Sequence, residues 1–163
     1  MENFWYWFED LSISIKIGET WLFPFIESIH VIAAVFVLGS IAIVDLRLLG
    51  WLVLPQTVSN LIRESIVWTW FAFALALITG VAMFITRASG YVANPAFLWK
   101  LVLLVLAGIN MLYFHRAVWP QLQQQDKLSS ATHLSRSCRV AGFASLSLWL
   151  GVMLAGRWIG HIF

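Results

Sequence analysis

Four stretches of this sequence are apolar and long enough to cross a lipid bilayer as helices, and that limits everything else the chain can become. About 20 apolar residues traverse the roughly 30 Å hydrocarbon core. The first stretch runs from about Trp21 to Trp51 and the second from about Ile66 to Thr86. The third runs from about Ala96 to Trp119 and the fourth from about Val140 to Ile162. Each is apolar on every face, without the period-two alternation of outer-membrane strands. The fold class is therefore all-α: an integral membrane four-helix bundle forming one transmembrane domain over residues 1–163.

Composition points the same way. Apolar residues make up 61% of the chain and charged residues 11%, where a soluble domain carries about 25% charged residues. A soluble globule, a disordered tail and a nucleic-acid-binding domain are excluded. The ten Lys and Arg and eight Asp and Glu are dispersed, so no basic patch marks nucleic acid as a partner. The single cysteine, Cys138, rules out an internal disulfide and a cysteine-built zinc or iron–sulfur site within one chain.

Breaker residues divide the spans. Gly50 and Pro55 end the first, Ser89 to Pro95 reads as a tight turn, and Trp119 to Ser130 reads as the one polar loop. The start, MENFWYWFED, has neither the basic beginning nor the cleavage site of a secretory signal. Its Trp5, Tyr6, Trp7 and Phe8 favour the headgroup layer. Residues 3–15 are therefore expected to form a short interfacial N-terminal helix. Arg47, Arg63, Arg116, Lys127, Arg136 and Arg139 fall on one side of the membrane. Lys16, Arg87, Lys100 and Arg157 fall on the other. The bias puts both termini outside, in the periplasm if the membrane is a bacterial cytoplasmic (inner) one.

Charged groups at the centre of a span cost about 2.5–3.5 kcal/mol each, so they are the default functional residues. Here they are Glu27, His30 and Asp45 in the first span, Lys100, Asn110 and His115 in the third, and Arg157 and His161 in the fourth. Helix periodicity puts Glu27, His30 and, within about 60°, Asp45 on one face. The fourth span runs back to the outer side, where Glu27 and Arg157 are expected to pair. Asp45, Arg47, His115, Arg116 and the loop residue His133 form an inner polar layer. Asp45 in DLRLLG reads as a clamp at a helix end, with Arg47 snorkelling to lipid.

The sharpest chemical reading is haem b, held between two histidines of facing helices. The outer pair is His30 with His161, which must overcome a depth mismatch of about 10 Å. The inner alternative is His115 with His133. Glu27 and Arg157 would form the electrostatic surround of the outer site, and Arg157 or Asp45 could take a quinone head group or a lipid phosphate. Against this, His30 could simply bond a backbone carbonyl, Glu27 or a neighbour of Arg157. Most of the ten tryptophans fall at span ends, as anchors do. Ala76 with Gly80, Gly151 with Ala155, and Gly156 with Gly160 are small-residue pairs that let helices approach within a bundle or a homodimer. No P-loop, HExxH or G-x-S-x-G pattern occurs.

ESIHV (Glu27–Val31), DLRLLG (Asp45–Gly50), WTWFAFAL (Trp68–Leu75), NPAFLWK (Asn94–Lys100), the stretch from Asn110 to FHR (Phe114–Arg116) and AGRWIGH (Ala155–His161) lie across nearly the whole chain. Together, over residues 22–163, they resemble a bacterial family of small four-span inner-membrane proteins, a domain of unknown function. The resemblance implies that His30, Asp45, Lys100, Asn110, His115 and Arg157 stand at the family's characteristic positions. It also implies that an aromatic residue often takes the place of His161, which counts against His161 as a ligand. A more distant likeness, at fold level alone, is to copper-resistance D-type proteins and small cytochrome b bundles.

The leading expectation is thus a membrane component of an electron-transfer system, binding haem b or a quinone near the periplasmic side through His30, His161, Glu27 and Arg157. Two alternatives stand beside it. One is a cofactor-free accessory subunit of a larger membrane complex. The other is an oligomeric ion or metal permease using Glu27, His30 and Asp45.

Overall fold

The computed structural model describes residues 2–53, 57–128 and 135–161. Two short helices, α1 (Glu2–Glu9) and α2 (Ser12–Gly18), precede the long α3 (Leu22–Leu49). α4 (Val58–Phe84) runs through a 3₁₀ turn into the short α5 (Ala88–Ala93). α6 (Pro95–Tyr113) passes through a π-helical turn, Phe114–Val118, into α7 (Trp119–Leu128), and α8 (Arg136–Ile159) closes the bundle. Among the described residues there is no strand.

Local chemistry sets the helix ends. α3 stops at Gly50, whose φ of 79° is left-handed, and the Trp51 N–H returns to the Leu46 carbonyl. That is a Schellman-type cap, which favours glycine because it lacks Cβ. Thr57 caps α4 by accepting from the Asn60 N–H. Asn94 caps α6 through Oδ1, which accepts from the Ala96 and Phe97 N–H groups. Its Nδ2 donates to the Ile159 carbonyl at 3.1 Å. One buried side chain thereby ties the start of α6 to the end of α8.

Four helical stretches, Leu22–Leu49, Val58–Ala93, Pro95–Gln124 and Arg136–Ile159, are long and apolar enough to span a membrane. Their outward faces carry large apolar side chains such as Phe36, Phe71, Ile78, Val105 and Leu154, all more than half exposed. Their inward faces carry small or polar residues, Ala33, Ala72, Ala107, Ala141, Asp45 and Thr79, beside larger apolar ones such as Val37, Leu48 and Ile62. This inversion of the soluble pattern belongs to helices that meet lipid outside and pack by close backbone approach inside. The protein is a multi-pass membrane protein.

α3 packs on α4 along one side and on α8 along the other, and α8 packs on α6. α4 and α6 scarcely touch. The α3–α8 approach depends on Gly142: a Cβ there would lie 3.1 Å from Leu48 Cβ and 3.3 Å from the Asp45 carbonyl oxygen. Below this crossing a compact apolar cluster of Leu48, Val58, Ile62, Phe114, Val118, Leu122, Cys138 and Ala141 seals the basic end of the bundle.

Three expectations need correction. Ser89 to Ala93 is helical, not a tight turn. The Glu9 carboxylate accepts from both the Ser89 N–H and its hydroxyl at 2.7 Å, which supports this helix from outside. The polar stretch from Trp119 continues as helix to Leu128. The π turn just before Pro120 widens the backbone where a proline ring would clash with the preceding turn. The N-terminal segment is two helices, broken at Asp10 and Leu11, rather than one. Both dock on the α4–α6 connection: Trp5 meets Phe84 edge-on, and the buried Ser14 hydroxyl donates to the Ile85 carbonyl at 2.7 Å.

Filling the α3–α8 contact should loosen the bundle. Gly142→Leu is expected to lower stability by about 1–3 kcal/mol through overpacking, read as thermal unfolding in detergent. Gly39→Ala, where nothing lies within 4 Å of the new Cβ, should be neutral or stabilising by up to about 1 kcal/mol.

Candidate functional site

The polar residues of the spans gather at two levels, and the pairings differ from those expected. At the level of the N-terminal helices, His30 turns toward α4. Its Nδ1 lies 2.9 Å from the Ala76 carbonyl oxygen and 3.1 Å from the Thr79 hydroxyl oxygen. A carbonyl only accepts, so Nδ1 carries the proton, and Nε2 keeps its lone pair. The Ala76–Gly80 pair makes room for the ring, because a Cβ on Gly80 would sit 3.2 Å from His30 Cε1. Lys100 on α6 is close enough for its charge to act on His30. Its ammonium rests over Gly156, 3.5 Å from where a Cβ would be. The small residues of α4 and α8 thus receive polar side chains from within the chain.

The expected outer partners are not joined. Among the described residues no ion pair links Glu27 to Arg157, and both side chains are exposed. Two features keep them apart: Arg157 sits at the last turn of α8, and the charge of Glu27 acts instead on Tyr91 of α5. His161 lies beyond the end of α8, exposed, with Nδ1 at 3.3 Å from the Arg157 carbonyl oxygen. No interaction joins it to His30. His133, the inner alternative, lies outside the described residues. No group of three or more His, Cys, Asp or Glu side chains placed to hold a metal ion occurs among the described residues.

The second level is the more developed one. In the basic half of the bundle α3, α4, α6 and α8 surround a cavity of about 210 Å³. Val37, Ile41, Phe73, Leu104, Phe114 and Trp149 supply apolar and aromatic wall. The residues that line it and are nevertheless exposed mark its mouth: Trp70 on α4, and Gly108 and Met111 on α6. The cavity therefore opens sideways toward lipid through the slot where α4 and α6 scarcely touch.

Asp45 stands in this wall, only 4% exposed. Ser145 of α8 reaches its carboxyl group, but Oδ2 has no hydrogen-bond partner. A buried carboxyl oxygen without a donor is costly, and in a native structure it calls for an explanation, such as an ordered water, an ion, strain or a functional role. Around it the protein's own groups are largely committed. Thr69 donates to the Ser40 hydroxyl at 2.9 Å and lies 2.8 Å from the Ser65 carbonyl. Asn110 Nδ2 donates to the Ala141 carbonyl at 3.2 Å. His115, on the π turn, places Nδ1 2.9 Å from the Met111 carbonyl, so a neutral ring there presents Nε2 as an acceptor. Single π turns inside α-helices are frequent at functional sites.

Asp45 is therefore more than the helix-end clamp that DLRLLG suggested. What the linear sequence concealed was its company. Ser145, Thr69 and Ser40 are ordinary polar residues of apolar spans, and only the bundle brings them to one wall. Gly142, beside the Asp45 carbonyl, was the one local sign of close approach there.

The fold and this site define a class: a four-span membrane bundle with a lipid-facing cavity built around one buried carboxyl group. Residues 4–162 match the family of unknown function DUF6644, and the chain belongs to that family. No curated protein and no solved structure matches it.

Removing the uncompensated group should stabilise the empty protein. Asp45→Leu is expected to raise its stability by about 1–3 kcal/mol, the usual cost of leaving a buried polar group unsatisfied, seen as a higher unfolding temperature in detergent. A fall of that size would mean that Oδ2 is already well compensated within the chain.

Proposed function

We propose that this protein is a cytoplasmic-membrane component of an electron-transfer system that holds a quinone-type carrier in the Asp45 cavity. The observation that carries the reading is the pairing of a lipid-side mouth with one unpartnered carboxyl oxygen in an aromatic wall. Binding sites for small molecules are mostly apolar with a few placed polar groups. A quinone is a flat polar ring on an apolar tail, and it reaches its sites from the bilayer. The mouth at Trp70, Gly108 and Met111 suits entry from that phase, and Phe73 and Trp149 suit a ring. The positive-inside bias of Arg47, Arg63 and Arg116 supports an orientation with this half of the bundle toward the cytoplasm and both termini in the periplasm. The site then lies in the cytoplasmic leaflet, not near the periplasmic side.

The geometry supports quinone over haem b. His30 faces the Lys100 ammonium, which repels a cationic iron centre, and the cavity wall includes one histidine, His115. It also weakens the case for a cofactor-free accessory subunit. The small residues Gly80, Gly151 and Gly156 are occupied by His30, Leu103 and Lys100 of the same chain.

A short-tailed benzoquinone titrated into the detergent-purified protein should quench tryptophan fluorescence saturably. Gly108→Phe blocks the mouth at a position where nothing lies within 4 Å of a new Cβ, so it should fold and bind at least about tenfold more weakly. His30→Ala should bind as the native chain does. Non-saturable quenching, or equal binding by Gly108→Phe, would defeat the reading. So would haem bands in the reduced-minus-oxidised absorption spectrum that vanish in His30→Ala.

A further inference from the structure

The donor and acceptor inventory of the cavity bears on which form of the carrier it favours. We propose that the site binds the reduced, hydroquinone form more tightly than the oxidised quinone, with one ring hydroxyl on Asp45 Oδ2. This rests on the quinone reading above.

Three unmet groups of the wall are acceptors, and the strongest of them is the Asp45 carboxyl. Asp45 Oδ2 has no partner. With Nδ1 facing the Met111 carbonyl, a neutral His115 ring presents its Nε2 lone pair. Asn110 directs its amide nitrogen to the Ala141 carbonyl, leaving its oxygen free to accept. Thr69 has its hydroxyl committed between Ser40 and the Ser65 carbonyl, and Ser145 faces the Asp45 carboxyl. The Ser65 hydroxyl, the second N–H of Asn110 and the indole N–H groups of Trp70 and Trp149 remain as donors, but none matches a buried carboxyl oxygen in energy. Hydrogen bonds to charged groups are the strong ones, and leaving such a group unmet carries the larger penalty.

A quinone carbonyl can only accept, so against Oδ2 as a carboxylate it sets two oxygens with no proton between them. A hydroquinone hydroxyl donates to a carboxylate and accepts from a carboxylic acid, so it satisfies Asp45 in either state. It can also donate to His115 Nε2, as a carbonyl cannot. Asp45 lies four residues before the end of α3, or about 6 Å along the axis, and the mouth opens laterally. The head group is therefore held inside the apolar layer, where one hydrogen bond more or less weighs heavily.

The test is anaerobic calorimetry on the purified full chain with a decyl-substituted benzoquinone in its oxidised and its reduced form. The reduced form is expected to bind at least about tenfold tighter, which raises the midpoint of the bound two-electron couple by about 30 mV per tenfold. Asp45→Asn supplies an amide N–H to a carbonyl, so it should narrow or reverse the preference while still binding the quinone. Its retained quinone binding reports that the variant is folded. Equal affinity for the two forms, or tighter quinone binding, overturns the inference and leaves the quinone reading intact. A preference unchanged in Asp45→Asn overturns it too. Binding of neither form by the native chain removes both. Displacement of the hydroquinone by phosphatidylethanolamine but not phosphatidylcholine would assign the carboxyl to an ammonium head, and would also overturn it.

Discussion

The approach of α8 to α3 through Gly142 is the contact on which the rest of the bundle depends. With only hydrogen on its Cα, the α8 backbone comes against the Asp45 carbonyl and Leu48 side chain. Tight packing of α3 with both α4 and α8, and of α8 with α6, leaves the fourth side, between α4 and α6, slack. The cavity is that slack, closed at the basic end by the cluster around Val118 and Leu122 and open to lipid at Trp70.

Lipid gives no hydrogen bonds, so each polar group in a span must find its partner inside the protein. Most do. His30 reaches the Ala76 carbonyl, Thr79 bonds back to Leu75, Thr69 bonds Ser40, and Asn110 bonds Ala141. These bonds cross between helices or fold back on one, and they hold the helices in register at little cost. Asp45 Oδ2 finds no such partner, although the same bundle satisfies many of its other polar side chains with ordinary serines, threonines and carbonyls.

The spans, their apolar character and the polar residues inside them were legible in the sequence, because bilayer thickness sets helix length and desolvation makes intramembrane charge rare. The helical periodicity placed His30 and Asp45 on the same side of α3. It could not tell that His30 would turn to α4 while Asp45 faced α8, since that depends on which neighbours α3 acquires. The turn expected at Ser89 to Pro95 failed for a similar reason. Its breakers are local, but the Glu9 carboxylate that supports a helix there comes from eighty residues away. The Glu27–Arg157 pair failed because equal depth is not adjacency. Glu27 faces α5 and Arg157 ends α8.

Sequence alone determined that this is a four-span helical membrane protein with few, costly polar groups inside, because both follow from the transfer of side chains and backbone between water and hydrocarbon. Helix order around the axis, the slot between α4 and α6, and the buried Asp45 oxygen left without a donor were decided only by tertiary packing. Those features depend on where a glycine lets two backbones meet and on which distant hydroxyl reaches which carbonyl, and neither can be read from spacing along one chain.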